Sequence, residues 1–180
     1  VKGRLSIPVV YNTGGYERVE TLRALEGYVD IYLPDVKYFS DELAVELSSA
    51  PGYFEAAVSA VGEMLRQTGK PQFRPDGMLS RGVIVRHLVI PGHYHDSEEV
   101  IRRVGERFGQ DVLFSLMSQY TPFWKARDIK SLNRRITTFE YRKALDAVYA
   151  AGLDGYMQER SSAKEEYTPD FDLSGVDGKK

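Results

Sequence analysis

The sequence predicts an α/β fold in which parallel strands alternate with helices, and three observations lead there. Apolar, β-branched runs recur along the chain; the clearest, RGVIVRHLVIPG (81–92), is apolar nearly throughout, as a strand buried on both faces requires. Between such runs lie segments with apolar residues three and four apart, such as Tyr53, Ala57, Ala60, Val61, Met64 and Leu65. The two patterns take turns. Strand, helix and strand at this spacing make parallel βαβ units, in either an open doubly wound sheet or an arc of a (β/α) barrel.

The elements follow in order. IPVVY (7–11) is the first strand and ends at the turn NTGG. A helix over 17–25 has Val19, Leu22 and Leu25 three apart. VDIYL (29–33) is the second strand, stopped by Pro34. Ser40 is placed as the N-cap of DELAVELSS, with Asp41 and Glu42 in the first turn, where the helix dipole favours acids. A longer helix runs over 51–68 to a stop at Gly69. After the strand at 81–92, Ser97 opens a helix that Gly109 closes. VLFSLMSQY (112–120) is the fourth strand, and the polar loop WKARDIKSLNRR follows. Thr137 or Thr138 caps a helix over 137–152, with Glu140 available for a capping box. DGYMQ (154–158) forms a short fifth strand. Residues 1–160 then form one unit, and 161–180 a polar tail.

Composition narrows the function. The chain has 180 residues, 42% hydrophobic and 28% charged, and a formal net charge of −2. That balance supplies no global field toward nucleic acid or an anionic membrane. No apolar run is long enough to span a bilayer. VKGRLSIPVVYN lacks the apolar core of a signal peptide and begins without Met, which reads as a chain cut from something longer with a cytoplasmic setting. There is no cysteine, so no thiolate nucleophile or metal ligand is available.

Ligands of such sheets bind at the carboxyl ends of the strands. Polar residues cluster there: Asn12 and Thr13 after the first strand, Asp35 and Lys37 after the second, His93 after the third, Gln119 and Tyr120 after the fourth. Asn12-Thr13-Gly14-Gly15 reads as a tight turn with glycine supplying positive φ, or as backbone approaching a ligand. Asp35 and Lys37, two apart on an extended chain, share one side. They either pair with each other or together meet a ligand bearing a carboxylate and an amine. Arg86, within the third strand, requires a carboxylate, either Asp35 or a ligand's. His87, His93, His95 and Asp96 raise a metal reading. A core role for His87 and a loop setting for the other two outweigh it, because ligands at two depths would have to converge. The basic run Lys125 to Arg135, flanked by Phe123 and Trp124, reads as a solvated loop.

The stretches PVVYNTGGYE (8–17), VDIYLPDVKY (29–38), GEMLRQTG (62–69), RGVIVRHLVIPG (81–92) and SLMSQYTP (115–122) resemble, in order, radical S-adenosylmethionine proteins of the pyruvate formate-lyase activating-enzyme type. The resemblance covers about residues 7–153. It implies a partial (β/α) TIM-type barrel, with a [4Fe-4S] cluster that cleaves S-adenosylmethionine to a 5′-deoxyadenosyl radical. It also implies a protein partner, a glycyl radical enzyme or another, as target. The family's C-x3-C-x2-C cluster motif and its Gly-Gly-Glu motif are absent here. The chain therefore resembles the carboxyl part of the barrel, unable to ligate the cluster and inactive by itself.

On the same resemblance, Asn12, Thr13, Asp35, Lys37 and Tyr120 are cofactor-pocket positions and Ile90, Pro91 and Gly92 match a strand end; Arg86 joins the pocket through its need for a carboxylate. Lys37 meets the S-adenosylmethionine carboxylate, and Asp35 orients Lys37 or a nearby donor. Asn12 stands where the family has Asp and Tyr120 where it has His. No catalytic or metal-ligating residue is assigned within the chain. Two further expectations follow: the first strand, 7–11, is an exposed edge that invites dimerisation, and the competing reading is a barrel-derived binding module without chemistry.

Overall fold

The structure, a computed structural model, describes residues 5–158. The expected tail, 161–180, lies outside the described residues. Strands β1 (Val10–Thr13), β2 (Ile31–Pro34), β4 (Leu79–Leu88), β5 (Leu113–Met117) and β6 (Gly155–Met157) form a parallel sheet, joined by helices α1 (Val19–Ala24), α2 (Asp41–Ser48), α3 (Tyr53–Thr68), α4 (Tyr94–Phe108) and α5 (Thr138–Ala150). A two-residue strand, β3 (Gln72–Phe73), pairs antiparallel with β4. The strand order β1-β2-β4-β5-β6 follows the chain in one direction. A doubly wound sheet would reverse at a switch point. Right-handed crossovers that all advance one way put their helices on one face.

The register explains how the two faces differ. Along β4 and the two residues after it, Val83, Val85, His87 and Val89 are buried, whereas Ile84, Arg86, Leu88 and Ile90, which alternate with them, are half-buried. The three valines pack with Tyr32, Val36, Phe114 and Leu116 and with Val61, Met64, Ile101 and Ala144 of the helices, and His87 stacks on Phe114. Complete burial of side chains of this size stabilises the fold by roughly 1.5–3 kcal/mol each. The other face is open enough to hold a ligand.

Several element ends differ from the sequence expectation. The first ladder begins at Val10, because the Val9 N–H is taken by Asp30 Oδ2 at 2.9 Å and its carbonyl serves Asp30 and Ile31. Ile7, 68% exposed, lies before the strand. Pro34 is the last residue of β2, paired with Thr13, rather than the first beyond it. It lacks an N–H, so pairing with β4 lapses after Tyr32 and resumes where Asp35 bridges Arg86 and the Val36 N–H donates to the Arg86 carbonyl at 2.9 Å. The expected helix at Ser97 begins instead at Tyr94, with His93 as N-cap, because Gly92 at φ +84° turns the chain immediately after Pro91. Ser97 is buried in the first turn, its N–H bonded to the His93 carbonyl at 3.2 Å. Strands β4 and β5 end at Leu88 and Met117, short of the 92 and 120 expected. The loop before α5 carries a short 3-10 turn, Trp124–Asp128.

Other local expectations hold. Ser40 caps α2, accepting from the Leu43 N–H at 3.1 Å. Thr137 and Glu140 close a reciprocal capping box on α5. Among the described residues, β1 is one of the two outer strands of the sheet, with Val10 50% exposed. Among the described residues, no helix is long and apolar enough to cross a membrane.

Candidate functional site

A cavity of about 540 Å³ opens at the carboxyl ends of β2, β4 and β5, with Asp35, Lys37, Arg86, Ile90, Met117 and Tyr120 among the residues lining it. Side chains of paired parallel strands share a side, so the bridge between Asp35 and Arg86 puts carboxylate and guanidinium in one layer. Arg86 Nη2 lies 2.7 Å from Asp35 Oδ1, and Lys37 Nζ 3.7 Å from Asp35 Oδ2. The first contact brings the charges together without hydrogen-bond alignment. Asp35 Oδ1 and Arg86 Nε, both shielded from solvent, therefore keep unfilled hydrogen-bonding capacity. Lys37, at 41% side-chain exposure, is the most open of the three.

The backbone that carries these charges is tied down by Tyr53, which sequence analysis placed only in the core. Its hydroxyl accepts from the Lys37 N–H at 3.1 Å and donates toward the carbonyls of Gly14, at 2.9 Å, and Asp35, at 3.0 Å. One phenol from α3 thus joins the ends of β1 and β2. Burial raises its pKa, so it stays a protonated donor. Gly15 closes the same junction at φ +83°: a Cβ there would lie 2.0 Å from the Asp35 carbonyl oxygen, so only glycine fits.

Four of the six residues that the sequence singled out meet at this cavity: Asp35, Lys37, Arg86 and Tyr120. Asn12 and Thr13 do not line it. Asn12 is exposed on β1, and Thr13 turns back into its own loop, donating its hydroxyl to Glu17 and accepting from the Gly15 N–H at 3.2 Å. Residues two apart point the same way, but the β1 turn meets the site through Gly14, where an added Cβ would lie 3.8 Å from Lys37 Nζ. Burial raises the pKa of Glu17, and the Asp35 charge adds to the shift.

The histidines do not converge. His87 is buried under the helices, its Nδ1 2.7 Å from the Val36 carbonyl, so the ring donates from Nδ1. Burial lowers its pKa and keeps it neutral. His95 is on the surface beside Glu98, at 2.9 Å. Among the described residues, no group of three or more His, Asp or Glu is arranged to hold a metal ion.

The outer wall comes from the loop read as solvated. Lys125, Ala126, Ile129 and Leu132 line the cavity. The Tyr120 hydroxyl donates to the Leu132 carbonyl at 3.1 Å. Arg134 and the Gly92 N–H both donate to Glu140, at 2.6 Å each to Oε1, and fix the loop's far end. The apolar spacing Ala126, Ile129, Leu132 was the available signal, masked by the charges between.

No protein-family model matches the chain. The chain is 32% identical over 149 residues to an uncharacterized protein of Methanocaldococcus jannaschii; the match covers 83% of this chain and 40% of that protein. The chain therefore spans less than half the length of this relative.

Proposed function

We propose that this chain is the S-adenosylmethionine-binding part of a radical S-adenosylmethionine protein similar to glycyl radical enzyme activases, built on a partial (β/α) barrel. The observation that carries the reading is the Asp35–Arg86–Lys37 cluster in a cavity that also offers an apolar wall, on the D-x-K motif that resembles the family's.

The cavity's chemistry suits this ligand. An α-amino acid group needs an acceptor for its ammonium and donors for its carboxylate. Asp35 Oδ1 is a shielded acceptor with capacity to spare, and Lys37 and Arg86 Nε are the donors. Leu88, Ile90, Met117, Ile129 and Leu132 offer an apolar wall of the kind an adenosine requires. Bound beside a reduced iron–sulfur cluster, S-adenosylmethionine would supply a radical for hydrogen abstraction. Without cysteine, the chain itself does not fit the cluster. Its residues bind and orient: Asp35 gathers Lys37 and Arg86 beside one carboxylate, where both can meet a ligand.

Calorimetric titration of the chain with S-adenosylmethionine tests this. Binding is expected, and Lys37→Ala should weaken it by about 1–3 kcal/mol, the range for a lost charged hydrogen bond. No binding by the unmodified chain overturns the proposal. Equal affinity for free methionine would favour a non-catalytic module for amino acids.

A further inference from the structure

Trp124, the single tryptophan of the chain, is 81% exposed. Large aromatic side chains are rarely left in water, and tryptophan is the residue most enriched where partners dock. Its backbone is also unusual. At φ +44° it occupies the left-handed region, which a bulky residue seldom adopts without a compensating role. Phe123 beside it is 45% exposed.

The charges around the pair are uncompensated. Lys125 Nζ lies 4.9 Å from the centre of the Trp124 ring, and Arg127 Nε donates to the Pro122 carbonyl at 3.3 Å. Among the described residues, Lys125, Arg127 and Lys130 have no carboxylate within ion-pair distance, and Asp128 is the one acid between them. One face of α4 shows the opposite arrangement. On α4, Arg102 and Arg103 are both paired with Glu99 and Glu106.

The strap's inner side is accounted for: Ala126, Ile129 and Leu132 close the cavity. Its outer side joins two exposed aromatic rings to Arg127 and Lys130, with Lys125 at the cavity rim between the two sides. We propose that this outer side, Phe123 to Lys130, is a docking surface for an acidic polypeptide segment carrying apolar side chains. The rings would supply the anchor and the cations the orientation. A protein segment fits better than nucleic acid. The cations occupy one short turn and make no track for a phosphate backbone, and the chain's net charge of −2 offers no field to draw one. The proposal stands whichever small molecule the cavity holds.

The sole tryptophan is a built-in reporter. The chain is titrated with a short synthetic peptide of glutamate and leucine while Trp124 fluorescence is followed. A saturable shift that weakens with salt is expected. Arg127→Glu with Lys130→Glu should weaken the binding by about tenfold or more, since each reversal turns an attraction into a repulsion. S-adenosylmethionine titration of that double variant should match the unmodified chain, which separates failure here from failure of the cavity reading. Four outcomes overturn the proposal: no response to the peptide, equal response to its lysine counterpart, tighter binding of oligothymidylate, or a signal that moves on dilution of the protein alone. Undiminished binding by the double variant, its fold checked by circular dichroism, also overturns it.

Discussion

Glu140 and Asp35 each face an arginine near the carboxyl end of the sheet, at 2.6 Å from Arg134 and 2.7 Å from Arg86. Glu140 is saturated. It accepts from both Arg134 Nη atoms, the Gly92 N–H, and the Thr137 N–H and hydroxyl. Asp35 is not, for one shielded oxygen keeps unfilled capacity, as does Arg86 Nε. A saturated buried carboxylate is a structural joint, here tying the β4 turn to the start of α5 and the strap. An unsaturated pair beside a cavity stores interaction capacity that a ligand can complete. The difference between the two clusters separates what stabilises this protein from what it uses.

Glu140→Ala should give the largest effect on stability, about 3 kcal/mol in urea unfolding, because it strands Arg134 and two backbone donors. The loss should also depend on pH. Arg134 above all holds the Glu140 carboxyl at about 2, below the ordinary 4.5. A depressed carboxylate stabilises the fold above its unfolded pKa and loses that contribution as pH falls toward the folded value. The gap between unmodified and variant chains should therefore narrow from about pH 5 downward. A constant gap would mean that Glu140 acts through packing rather than charge.

Tyr53→Phe comes next. It removes the hydroxyl that joins Lys37, Gly14 and Asp35 while keeping the buried ring. A loss of about 1–2 kcal/mol is expected from the unsatisfied groups, with weaker S-adenosylmethionine binding. Loss of stability with unchanged affinity would make Tyr53 structural only. Lys37→Ala should have the smallest effect on folding, under about 0.5 kcal/mol, since an open pair at this distance contributes little. A large destabilisation would move Lys37 to the side of Glu140 in the comparison.

Much of the site was legible before the structure. That Arg86 in its strand requires a carboxylate was legible, with Asp35 or a ligand left open as the partner, and His87 proves a core residue bonded to backbone. Tyr53 was hidden because its helical spacing is that of a core residue, and the ring is indeed buried; only its hydroxyl reaches the site. The β3–β4 hairpin was missed although Pro75-Asp76-Gly77 is a turn signal, because its strand is two residues long and has no periodicity to read.

What the sequence by itself determined is the alternation of strands and helices, the caps at Ser40 and at Thr137 or Thr138, and the set of charges at strand ends. These are local: apolar period, side-chain hydrogen bonds within a turn, and the alternation of an extended chain act between residues close in sequence. Tertiary structure alone decided that Asp35 lies beside Arg86, 51 positions on, while Thr13 turns away into its own loop. It also decided that a basic loop closes a cavity with one side and leaves Trp124 in water on the other. Strand register and loop path are set by packing between distant segments, and no spacing within a single segment encodes them.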